Sequence, residues 1–453
     1  MDALLPLLGK YALDTTLVFG GNQRISAGEF LADVERLAAA LPDAPYVLND
    51  CFDRYRFLVG FAAALRRGQV SLLPSNRVAH TWQQLAHDYA GVYCFTDQTD
   101  APAVMPMVPY PAEAGAAAAD ATHPAFPASQ LAAIAFTSGS TGRPKPILKY
   151  WGALVREALA GGRRLGLAPG GQGAIVATVP PQHMYGFVTS AMIPLQFGYA
   201  TSRARPFYPE DIRLELEASP AANPMLIITP TQLRACVLER SSLPPLAFIL
   251  SSAAPLPKAV ADEAENIFSA RVLEYYGSTE TGAIASRRRC EGDAWHTFDG
   301  IRVSAREDGF QVDADYFSGP VVLNDSVEIS SPTEFRLLGR STDLVKIGGK
   351  RTSLLHLNQQ LLEIPGVRDG AFFLEEGLEG REPRLAVLVV APTCSREEII
   401  AALRARMDEV FIPRKLCLVS ALPRNAAGKL PREQLLGLLR QRAEIEAGTS
   451  ERN

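Results

Sequence analysis

The chain has 453 residues, 47% of them hydrophobic and 21% charged, with a formal net charge of −4. That length exceeds what one ordinary core organises, so two or three domains are expected. The mild acidity, without long like-charge blocks, argues against a general nucleic-acid surface.

At the N-terminus, Asp2 stands where a signal peptide would carry basic residues. The apolar run of residues 1–10 is also too short to span a bilayer, so no membrane anchor is expected. Residues 24–41 read as a loop followed by an amphipathic helix, with Phe30, Leu31, Val34, Leu37 and Leu41 at helical spacing. A second helix over 55–67 runs into a strand at 70–73, and such alternation suggests an α/β layer. Residues 100–129 are dense in proline and alanine and read as a surface connection or a subdomain crossing. Short apolar runs at 131–136, 174–178, 225–228 and 247–250 have the texture of strands covered on both faces. Past residue 300, short alternating strands such as 310–313 and 327–330 take over. Helix 353–363, strand 385–390 and helix 396–409 then form an α+β module. The boundary falls near Gly339–Asp343.

Six scattered cysteines form no CxxC pair and read as reduced, partly buried thiols of a cytoplasmic protein. The six histidines show no metal spacing. Arg287, Arg288 and Arg289 are the one basic cluster, either a solvated loop or a docking patch for an acidic partner.

The chemistry concentrates after the strand at 131–136. Thr137, Ser138, Gly139, Ser140, Thr141 and Gly142 supply hydroxyls and permissive backbone ahead of Arg143, Pro144 and Lys145. Glycines let main-chain N–H groups approach phosphate oxygens closely, and a lysine sets a mobile positive charge against polyphosphate. Pro144 stands where a Walker A loop needs its second glycine, so this is a different phosphate cradle. A Ser/Gly linker is the plainer alternative.

The segment resembles the T-S-G-[ST]-T-G-x-P-K loop of the adenylate-forming superfamily: acyl- and aryl-CoA ligases, peptide-synthetase adenylation domains and luciferases. Three further motifs follow in order, and the resemblance runs from about residue 20 to about 440. Tyr275-Tyr276-Gly277-Ser278-Thr279-Glu280 looks like the family's Y-G-x-T-E. The resemblance implies that Thr279 bonds the α-phosphate and Glu280 is a ligand of Mg²⁺, a role that suits a hard carboxylate oxygen. Asp325 falls on the aspartate that grips both ribose hydroxyls, and Arg340 on the arginine that reaches ribose and phosphate. Thr342 occupies the hinge position, where the family usually has an aspartate or lysine. Leu422 to Lys429 resembles L-P-[RK]-[TN]-x-x-G-K. By that resemblance Lys429 holds carboxylate and α-phosphate together in the first half-reaction.

Weaker matches complete the implied pocket. His183, Tyr185 and Gly186 sit in a P-x-x-H-x-x-G-like segment lining the acyl site, with Tyr275 adjoining it. Ser252, Ala253, Ala254 and Pro255 lie where the family runs along adenine, with glycines replaced, so the backbone there should tolerate a β-carbon. Gly348 and Gly349 resemble the loop that lines the pantetheine tunnel. The implied fold is α/β: a large N-terminal domain of stacked mixed sheets with helices (1–340) and a smaller mobile α+β C-terminal domain (341–453).

The implied reaction is attack of a carboxylate on the α-phosphorus of Mg·ATP, followed by transfer to coenzyme A or to the phosphopantetheine of an acyl carrier protein. The compact chain is similar to stand-alone ligases for small aromatic acids such as hydroxybenzoates. A medium-chain or hydroxy fatty acid is the alternative substrate. A non-catalytic nucleotide or acyl-adenylate sensor is the alternative of another class, which loss of Lys429 or Glu280 would mark; both are present.

Overall fold

The computed structural model describes residues 2–441 apart from Ser75, 112–122, 138–144, 307–308, 318, 341–343, 348–349, 376–383, 425–429 and 431–433. Two sheets dominate its first three quarters. In the first, Val70–Leu73, Tyr46–Asn49, Tyr93–Thr96, Met107–Pro109 and Leu131–Thr137 run parallel, and Lys145–Tyr150 closes one edge antiparallel. The second has eleven strands. Its parallel centre holds Thr16–Gly20, Ala200–Ser202, Ala174–Ala177, Met225–Ile228, Phe248–Ser251 and Val272–Ser278. Antiparallel strands flank that centre on both sides.

Both faces of this sheet are covered. Because side chains alternate along a strand, Ile175, Ala177, Met225, Ile227, Phe248 and Leu250 enter one apolar cluster. Ala174, Val176, Leu226, Ile228 and Ile249 enter another, beneath helices Pro209–Glu217, Pro230–Leu238 and Lys258–Phe268. Helices Ala27–Ala40, Arg54–Arg66 and Trp151–Arg164 belong to the first cluster, whose members come from both sheets, and so fill the space between them. The outer face of the smaller sheet is covered by Ala79–Asp88, whose Trp82 is fully buried.

From residue 344 the chain forms a hairpin, a three-stranded sheet and helices Leu354–Leu362 and Arg396–Arg404. Two apolar clusters built from residues 345–439 alone lie on the two faces of that sheet. Arg234 of the helix Pro230–Leu238 donates to the Val367 carbonyl.

The mixed α/β architecture matches the expected class, and most elements fall within a residue or two of their sequence positions. Three details differ. Residues 24–26 are strand, not loop, because they pair back onto Thr16–Gly20. The proline-rich stretch holds two short strands, Met107–Pro109 and Ala125–Pro127, at sheet edges where a missing N–H is tolerated. Helix 396–409 stops at Arg404 and continues as a turn. Among the described residues, no helix is long and apolar enough to cross a membrane. None of the six cysteines is in a disulfide, and four of them are buried.

Candidate active site

In open α/β sheets, ligands bind beyond the carboxyl ends of parallel strands, where backbone groups and loops converge. Here His183 to Gly186 follows Ala174–Ala177, Ser252 to Pro255 follows Phe248–Ser251, and Thr279–Glu280 follows Val272–Ser278. Thr137 ends the parallel strand of the smaller sheet nearest its edge, and Lys145 begins the antiparallel neighbour, paired with it in register. Lys145 is exposed. Ser138, Gly139, Ser140, Thr141 and Gly142 lie outside the described residues, as do Thr342, Asp343, Gly348, Gly349 and Lys429.

The turn after Val272–Ser278 is tightly built. The Ser278 N–H donates to Thr281 Oγ1 and the Thr281 N–H to Ser278 Oγ, each at 3.2 Å. This reciprocal pair closes the reversal into Gly282–Arg288. Thr279 and Glu280 project from the closed turn and are half-exposed. Among the described residues the Glu280 carboxylate makes no hydrogen bond or ion pair, and no cluster of three His, Cys, Asp or Glu side chains forms a metal cage. A half-exposed carboxylate of this kind fits Mg²⁺, which commonly takes one or two carboxylates and draws other ligands from phosphate and water.

Asp325 opens the strand Asp325–Ser331 and is paired in register with Arg340, whose side chain is not described. The Tyr276 hydroxyl donates to Asp325 Oδ2 at 2.8 Å. Its ring packs among Trp295, Phe310 and Phe335. The aspartate is therefore aimed by a hydroxyl on a rigid aromatic base, a partnership the sequence did not reveal.

The acyl-side residues divide. His183 is half-buried and stands at the N-cap position of the short helix Met184–Phe187, without a side-chain capping bond. Gly186 is required by close packing, since a β-carbon there would lie 2.1 Å from the Pro180 carbonyl oxygen. Tyr185 shows part of its ring, but its enclosed hydroxyl donates to the carbonyls of Leu250 (2.7 Å) and Ile228 (3.2 Å). Burial pushes that hydroxyl's pKa far up, so it remains a neutral donor tying two strand ends together. Tyr275 does not face a pocket. Alternation turns it to the opposite side of the strand from Tyr276, where it packs on Phe298 in the core and donates to the Gly161 carbonyl. Ser252 Oγ donates to the Tyr275 carbonyl at 2.8 Å. Ala253 does tolerate its β-carbon, but at φ +74°, in the left-handed region that favours glycine.

The arginine cluster is neither a solvated loop nor a free patch. Arg287 lies in the strand Gly282–Arg288, pairs with buried Glu274 at 2.6 Å and stacks on Trp295. Arg288 binds Glu265 and Glu291, and Arg289 binds Asp293. Sequence reasoning also passed over Lys149 and Glu157, both buried, whose polar ends meet the Glu280 turn. The signal was present: Glu157 interrupts the apolar stripe of Leu154, Val155 and Ala158 in its helix.

The model of the AMP-binding enzyme family matches residues 9–304. The 4-coumarate–CoA ligase of Rhodobacter capsulatus is 31% identical over 308 residues, covering 66% of this chain and 74% of that one. The medium-chain fatty-acid–CoA ligase of Escherichia coli is 25% identical over 352 residues, covering 66% and 60% respectively. Among solved structures, the anthranilate CoA ligase AuaEII in complex with anthranoyl-AMP superposes with a TM-score of 0.78 at 15% identity, covering 95% of each chain. With the strand-end site and the ordered motifs already in place, these matches mean that the chain belongs to the AMP-binding enzyme family, as an AMP-forming acid–thiol ligase.

Proposed function

We propose that the enzyme activates a small aromatic carboxylic acid as its acyl-adenylate and transfers it to coenzyme A. The supporting observation is the turn that follows Val272–Ser278. It presents Thr279 and the half-exposed Glu280 at the carboxyl end of a parallel strand, with Asp325 held by Tyr276 from the same strand. In this reading Asp325 holds the ribose hydroxyls and Thr279 the α-phosphate. Thr137 and the loop through Lys145 hold the phosphates that leave as pyrophosphate. Glu280 holds Mg²⁺, which would neutralise charge on the phosphates when bound. Arg340 and Lys429 bring positive charge to the reacting centre. Chain division near 340, a hinge at Thr342 and a thiol tunnel past Gly348–Gly349 complete the reading.

The aromatic substrate is favoured by the likeness to a 4-coumarate–CoA ligase and by the half-exposed Tyr185 ring and His183 imidazole. Coenzyme A is the proposed acceptor. The one sequence argument for an acidic carrier protein was the arginine cluster, and all three of its members are paired within the fold. The test is thioester formation with 4-coumarate, 4-hydroxybenzoate and octanoate, each offered with coenzyme A and with a holo carrier protein. An aryl-CoA should form fastest. Faster octanoyl transfer overturns the aromatic reading, and preference for the carrier protein overturns the acceptor.

A further inference from the structure

Two buried ionisable side chains lie directly behind the Glu280 turn, and both come from the strand–helix unit that begins at Lys145. Lys149 belongs to the strand Lys145–Tyr150 and Glu157 to the helix Trp151–Arg164; they are 6% and 3% exposed. Lys149 Nζ donates to the Glu280 carbonyl oxygen at 3.3 Å. The Ala283 N–H donates to Glu157 Oε1 at 2.9 Å. Between these two contacts stands Gly282 at φ +70°, where a β-carbon would lie 2.1 Å from the same carboxylate oxygen. The carboxylate is thus packed flush against the turn.

Buried ionisable groups are by themselves weak support for stability, because apolar residues of similar volume often serve as well. Here, however, each charged end is aimed at the main chain of one four-residue turn, from opposite ends of that turn. We propose that Lys149 and Glu157 are positioning residues, a clamp that holds the backbone of residues 280–283 so that Thr279 and Glu280 face the nucleotide. The clamp also links the two sheets: whatever sets the phosphate loop on Thr137–Lys145 sets the carboxylate turn as well. Burial lowers the Lys149 pKa and raises that of Glu157, as expected for charges held away from water by their packing.

The inference rests on the nucleotide site proposed above, so its test includes a binding measurement that needs no acid. Affinity for Mg·ATP is measured by calorimetry for the wild type, Glu157→Ala, Glu157→Gln and Lys149→Met, with and without Mg²⁺. Displacing a catalytic group by about 1 Å can lower turnover roughly 100-fold, and binding is expected to weaken about tenfold in Glu157→Ala and Lys149→Met. Gln keeps an acceptor for the Ala283 N–H, so Glu157→Gln should stay within about threefold of the wild type. The losses should shrink when Mg²⁺ is withheld. In parallel, acid-dependent ATP–pyrophosphate exchange should fall roughly 100-fold in Glu157→Ala, while conversion of supplied acyl-adenylate to thioester is retained. Wild-type Mg·ATP affinity in Glu157→Ala overturns the clamp, as does an equal loss with and without Mg²⁺ or equal loss in both half-reactions. Failure of every acid to drive exchange in the wild type overturns the substrate reading alone, because the binding arm still decides the clamp.

Discussion

Removing one hydroxyl should separate nucleotide binding from chemistry. In Tyr276→Phe the ring keeps its packing on Trp295, Phe310 and Phe335, while the 2.8 Å bond to Asp325 is lost. A hydrogen bond to a charged group contributes about 1.5–3 kcal/mol. At a factor of ten per roughly 1.4 kcal/mol, that is about 10- to 150-fold in affinity. Asp325 is not held by Tyr276 alone, so the lower end applies. If Asp325 grips the ribose equally in the ground and transition states, the loss appears in the KM for ATP and leaves kcat within about threefold. Pyrophosphate exchange across a range of ATP concentrations, at saturating acid, measures both. An unchanged KM for ATP would refute the role of Asp325, and a fall in kcat alone would place Tyr276 in the chemical step.

Other consequences are equally direct. Arg54 is fully buried and donates to the carbonyls of Ala177, Val179, Ser202 and Ala204 and to Ser190 Oγ. Arg54→Met takes the donor from those four carbonyls and should lower stability by about 4 kcal/mol, read from the urea midpoint. Arg287→Ala leaves the Glu274 carboxylate buried and unpaired, which should cost about 3–5 kcal/mol of stability without changing the KM for the thiol acceptor. Tyr185→Phe should lower the melting temperature through the lost strand-end bonds while leaving the KM for the acid within about threefold, since only the ring is available to substrate. Burial raises the Glu157 pKa to about 7 from an ordinary value near 4.5. Between those pH values the unfolded chain releases a proton that the folded one keeps, so this group removes stability as pH rises through that window. Glu157→Gln should flatten that slope in thermal scans from pH 4.5 to 7.

Much of the fold was legible because its strands are short and covered on both faces. Met225–Ile228 and Phe248–Ser251 show as uninterrupted apolar runs between turn residues, a texture that helices and exposed strands lack. The Glu280 turn and Asp325 were legible from motif order. Contacts formed between elements distant in sequence were not. Nothing local marks Tyr276 as the partner of Asp325, 49 residues away, or Lys149 as the partner of a carbonyl 131 residues away. Two of the arginines misled for the same reason: they look solvated until Glu265 and Glu274 are brought against them, whereas the partner of Arg289, Asp293, lies only four residues on. Tyr275 misled because a motif names neighbours while a strand sends them to opposite faces.

In the proposed reaction a carboxylate oxygen attacks the α-phosphorus of ATP. This step is tested most directly by running the complete reaction with an acid labelled with ¹⁸O in its carboxyl group. The attacking oxygen stays on phosphorus when the thiol takes the acyl group. One ¹⁸O should therefore appear in AMP and none in pyrophosphate. Label in inorganic phosphate, or AMP formed without label, would contradict the account.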